Sequence, residues 1–147
     1  MRTSARKGRG SAVVEFAIGF SLLLAGFGGV YQFGHTFYLY NTLESSVRNG
    51  ARYASLSAYD APDGATFKDR IRRMVVYGNP TAPTGSTPVV MGLNTTHVRV
   101  TEVKSGIMPD RVTVELTGFT IDAIFADYTM NGKPAVTFDY MGQLLVP

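Results

Sequence analysis

An apolar run headed by a single acid constrains this chain more than anything else in it. From Phe16 to Gly34 no side chain is charged, and as a helix that stretch would cover roughly 28 Å, about the hydrocarbon thickness of a bilayer. Arg2, Arg6, Lys7 and Arg9 precede it with no acid among them. Basic residues ahead of an apolar span stay on the cytoplasmic side, so the amino terminus is expected inside and the rest of the chain outside. Glu15 stands at the head of the run, among Val13, Val14, Phe16, Ala17 and Ile18. A carboxylate costs about 2.5 to 3.5 kcal/mol at the centre of a membrane helix and less near its end, so its presence asks for a partner. It reads either as an interfacial residue closing a signal anchor or as part of a processed terminus. If the chain were cut after Gly10, Ser11 would lead the mature protein and Glu15 would be its fifth residue.

The charge distribution supports a removable leader. The chain carries 14 Lys and Arg against 11 Asp and Glu. Without the four leader cations, 10 basic residues face 11 acids, and the net charge falls from +3 to −1. Nucleic-acid binders concentrate positive charge on the surface that meets phosphate, whereas here the dense cluster is the leader itself, so no nucleic-acid partner is expected. There is no Cys, which excludes thiol chemistry and disulfides and is compatible with an oxidising compartment. A secretory signal peptide competes for the amino terminus, but the apolar run is long for one, and no small-x-small cleavage pattern ends it before the aromatic segment Tyr31 to Tyr40.

Helical periodicity continues past the span. Phe33, Phe37, Tyr40, Leu43, Val47, Ala51, Ala54 and Ala58 recur at spacings of three and four, which predicts one long helix from Ala12 to about Ser57. Its membrane half contains Gly19, Gly26, Gly28 and Gly29, read as close helix packing with a bend or melted segment near Gly26 to Gly29. Tyr31, Phe33, Phe37, Tyr38 and Tyr40 suit an interfacial belt or, for the phenylalanines, core packing.

Gly10 before a scissile bond, Glu15-Phe16, the run Ser21 to Leu24, and Gly50-Ala51-Arg52-Tyr53-Ala54 at the end of the long helix together resemble the type IV prepilins, and within them the TadE-like pseudopilins of the tight-adherence (Tad, Flp-type) pilus. The chain departs from the pattern at Ser21, where Pro is common, and near Gln32, where an acid is common. The resemblance implies cleavage by a prepilin peptidase between Gly10 and Ser11, an assembly or register role for Glu15 and Phe16, and a helix-end motif at Gly50, Ala51 and Arg52. It also implies other pilins or pseudopilins and the Tad assembly platform as partners, besides the membrane. Major Tad pilins are much shorter, so the family implies a minor pseudopilin.

Beyond the helix, Tyr59 to Gly64 contains Pro and Gly and predicts a break. A second helix is expected over Thr66 to Tyr77, burying Phe67, Ile71 and Met74 or Val75, with Lys68, Arg70, Arg72 and Arg73 read as a solvated face. Gly78 to Gly92 reads as a loop, mobile or in contact with a partner. His97 to Val103 and Arg111 to Thr117 alternate apolar and polar residues as half-buried strands do, and Ala135 to Tyr140 is a third strand with Met130 to Pro134 as its preceding turn. Phe119 to Tyr128 admits strand extension or a short helix around 121–126.

No pattern supports catalysis or a bound cofactor. His35 and His97 lack a second ligand at metal spacing, Asp60, Asp63 and Asp69 do not form a calcium loop, and Asn94-Thr95-Thr96 matches a glycosylation sequon by a pattern short enough to arise by chance. The expected architecture is α+β: a basic leader over 1–10, a long transmembrane and amphipathic helix over 11–58 with its span about 12–34, and a periplasmic or extracellular domain over 59–147. In that domain a short second helix and a small antiparallel sheet pack on the periplasmic half of the long helix, as in pilins. The expected function is a minor pilin that starts in the inner membrane and enters an adhesive Tad-type pilus. The alternatives are a permanent single-span membrane protein with a periplasmic binding domain, or a secreted adhesin or enzyme.

Overall fold

A computed structural model describes residues 8–60, 63–122, 127–142 and 144–145. It divides into two compact units, one ending at Phe37 and one beginning at Tyr38.

The described residues of the first unit are all helix. Helix α1 spans Gly8–Leu56, and its portion up to Phe37 belongs here. The glycines do not interrupt the helix. Its side chains pack locally along the surface: the Phe16 and Phe20 rings stack 5.7 Å apart, and the pairs Tyr31–His35 and Phe33–Phe37 stack at 6.1 and 6.3 Å. These are the (i, i+4) neighbours that a helix brings together.

The second unit builds the α+β domain. The remainder of α1 is followed by β1 (Tyr59–Asp60), α2 (Ala65–Tyr77), a single 3₁₀ turn (Thr95–His97), β2 (Val98–Ser105), β3 (Met108–Ile121), β4 (Tyr128–Asp139) and β5 (Leu144–Leu145). The main sheet is antiparallel in the order β2-β3-β4, and β1 pairs in parallel with β5. Leu43, Val47, Ala51 and Ala54 of α1 are buried with Phe67, Ile71, Val75 and Val76 of α2 and with Val98, Val100, Val112, Val114 and Leu116 of the sheet. The stripe on α1 therefore meets the inward face of the alternating strands, and burial of these side chains is what holds the unit together.

Two elements differ from expectation, and a third settles on one of its two alternatives. Met130 to Pro134 is part of β4 and not a turn ahead of it. The pairing of β3 with β4 shifts register between Glu115 and Phe119, opposite this segment, and Gly132 takes φ 71 within the irregularity. A bulged pairing absorbs residues that otherwise signal a turn. Phe119 to Ile121 extends β3, while the alternative helix over 121–126 lies mostly outside the described residues. His97 ends the 3₁₀ turn and does not lie on a strand: its Nδ1 accepts from the Asn94 N–H at 3.3 Å, while the Asn94 side chain accepts from the Thr96 N–H at 3.0 Å. The sequon asparagine is thus the cap of that turn.

The cationic face of α2 is not simply solvated either. Lys68 pairs with the buried Glu102 of β2 at 2.5 Å. Arg70 donates to the Ala58 carbonyl at 3.0 Å, and Arg73 donates to the Asp69 carboxylate at 2.7 Å and to the Ala82 carbonyl at 2.6 Å. The loop that follows α2 is anchored by that last contact, by the Val89 N–H donating to the Val76 carbonyl at 2.8 Å, and by burial of Ala82, Val90 and Leu93.

Candidate functional site

The residues singled out by sequence fall into two groups, one in each unit. Gly10, Ser11, Glu15 and Phe16 lie in the first turns of α1, all exposed. The Ser11 hydroxyl donates to the Glu15 carboxylate at 3.4 Å, so the helix sets Glu15 one turn from the position that cleavage would make the amino terminus. Phe16 is 71% exposed, and Val13, Ile18, Leu22, Leu23 and Phe27 beside it are similarly uncovered. A window of 18 residues here has mean hydropathy 1.9 and none of it is buried. By length and composition the helix can cross a membrane, and a surface this apolar needs lipid or other helices to cover it.

Gly50, Ala51 and Arg52 form the second group, and they divide their roles. Ala51 is fully buried in the core. A Cβ on Gly50 would fall far inside van der Waals contact of Val75 Cγ2 and lie 3.7 Å from the Ile71 carbonyl, so α2 crosses α1 at a point where only hydrogen fits. Arg52 points outward into a shallow groove of about 420 Å³ lined also by Asn49, Tyr53, Leu56, Ser57 and Met74. The helix-end motif is therefore a packing device on one side and an open surface on the other.

No local pattern announces how these elements are fastened. Helix α1 ends without glycine, and its last carbonyls are met by the carboxy-terminal segment: the Met141 N–H donates to the Ser55 carbonyl and the Tyr140 hydroxyl to the Ser57 carbonyl, both at 2.8 Å. Helix α2 starts at Gly64, which has φ 64 and no side chain to cap with. Asp60 replaces it: the N–H groups of Phe67 and Thr66 donate to its two carboxylate oxygens at 2.7 and 3.0 Å. Burial raises the pKa of this carboxyl, but those donors together outweigh it and hold the group below the ordinary 3.8. The nearby signals, Asp60 and the Pro-Gly break, were visible, but the six-residue reach of the cap was not.

Chemically the described residues offer surfaces for contact: an exposed apolar helix, an anchored sheet and a groove. A long apolar amino-terminal helix, a short second helix and a three-stranded antiparallel sheet make an α+β architecture whose helix is long and apolar enough to cross a membrane. Residues 10–52 match the family model described as TadE-like protein. The match begins at Gly10 and ends at Arg52, so it spans both candidate groups and covers less than a third of the chain. No curated protein and no solved structure matches it.

Proposed function

We propose that this chain is a minor pseudopilin, cut by a prepilin peptidase after Gly10 and built into a Tad-type adhesive pilus with sibling pilins. The observation that carries the reading is the position of the one acid in the exposed apolar portion of α1: Glu15 is a single turn from Ser11. Cleavage would remove four cations from the membrane surface and leave an ammonium at Ser11. A carboxylate one turn along neutralises that ammonium, in its own chain or in a neighbour, and so offsets the desolvation of both. In this reading the amino terminus faces the cytoplasm, the helix is held in the inner membrane until an assembly platform extracts it, and the domain from about residue 59 lies outside. The mechanism is packing: apolar helices exchange lipid for one another, Glu15 sets the axial register, and the domain selects neighbours.

The test is the amino-terminal sequence of the membrane-extracted protein with and without a co-expressed prepilin peptidase. A start at Ser11 that depends on the peptidase supports the reading. A chain that keeps its leader under both conditions supports a permanent single-span protein instead, and a start beyond Tyr31 supports a secreted one.

A further inference from the structure

The groove beside Arg52 and the tip of the β2–β3 hairpin are complementary halves of one contact, and both are uncovered. In the groove, Leu56 is 64% exposed, Tyr53 and Met74 supply further apolar wall, and the Arg52 guanidinium stands at the edge. At the hairpin tip, Gly106 turns the chain with φ 84, Ile107 is 65% exposed, and Asp110 is exposed three residues on. Neither the Arg52 nor the Asp110 side chain has an ion-pair or hydrogen-bond partner among the described residues. Each half thus presents one apolar group and one charge. Arg52 and Leu56 are separated by one helical turn, about 6 Å, and Ile107 and Asp110 by at most about 10 Å of extended chain.

We propose that the hairpin tip of one copy docks in the α1–α2 groove of the next, Ile107 against Leu56, Tyr53 and Met74 and Asp110 against Arg52. The two surfaces differ, so the contact is head-to-tail and leaves an unused groove at one end and an unused tip at the other, the arrangement that propagates into an open chain. A tip in a shallow groove is a small contact. It gains from copies held in one membrane or filament, where effective concentration is high. The inference deepens the assembly reading by naming a domain contact. It does not depend on cleavage of the leader, which the terminal sequence tests separately.

The chain has no cysteine, so single cysteines report without background. Two full-length forms with different tags, Leu56→Cys and Ile107→Cys, are co-expressed in membranes and oxidised with copper phenanthroline. The expected product is a mixed dimer containing one of each. Arg52→Glu in the Leu56→Cys form lowers its yield by up to about fivefold, the worth of an exposed ion pair. Adding Asp110→Arg to the Ile107→Cys form restores it, which also shows that both variants are folded. No mixed dimer, dimers of Leu56→Cys with itself only, or a mixed yield indifferent to the charge reversal would each overturn the proposal.

Discussion

At Asp60 one carboxylate caps a helix whose own cap position is a glycine, and this fixes how stability responds to acid. The folded carboxyl titrates below 3.8, so its contribution is complete above that value and fades as pH falls through the lower folded value. Asp60→Ala is expected to cost about 1 kcal/mol at neutral pH. Urea melts of the full chain in detergent at several pH values check this: the difference between Asp60→Ala and the parent shrinks below about pH 4. A gap that stayed constant down to pH 2 would count against the cap. Gly50 makes the opposite kind of contribution, by absence. Gly50→Ala gains up to about 1 kcal/mol of helix propensity but forces a methyl into Val75, an overpacking worth about 1 to 3 kcal/mol, so a net loss is expected. Val75→Ala makes room for that methyl, and a double-mutant cycle between the two should show strong coupling. Gly50 was recognisable as part of a motif. Its reason was not, because Val75 is distant in sequence and nothing local says that two helices cross there.

Among the elements, the ones legible beforehand were those with long, regular patterns. The stripe Leu43, Val47, Ala51 and Ala54 is buried as its spacing predicts, α2 begins one residue before the expected Thr66, and the alternation of β2 and β3 places Val98, Val100, Val112 and Val114 inside. What escaped were pairings made over distance. The two-residue strands β1 and β5 join the end of α1 to the carboxy terminus, and no two-residue pattern announces a strand. The end of β4 was legible, whereas its start was hidden by Asn131, Gly132 and Pro134 in a bulged register. The carboxy-terminal strap also explains why α1 needs no glycine cap. Tyr140→Phe removes the hydrogen bond to the Ser57 carbonyl and should destabilise the domain by about 1 kcal/mol, read as a lower urea midpoint with unchanged slope. No change in midpoint would mean that water replaces the hydroxyl without loss.

For the whole molecule, the division of labour follows from solvent. The first unit exposes apolar side chains along its length and is finished only by lipid or by other helices; the second unit has its own core and presents polar strands and one apolar groove. The TadE-like match, residues 10–52, lies within the long helix. Glu15→Ala should leave membrane insertion intact, since it removes a charge from an apolar helix, while sharply reducing incorporation into pili. Shearing and immunoblotting of pili against membrane fractions separates the two effects, and normal piliation by the variant would remove Glu15 from the register role. The central claim is that this chain is a peptidase-processed subunit. Its most direct measurement is the amino-terminal sequence and intact mass of the protein extracted with and without prepilin peptidase. The account predicts a peptidase-dependent start at Ser11. A chain that retains Met1 or Arg2 in the presence of active peptidase would contradict it.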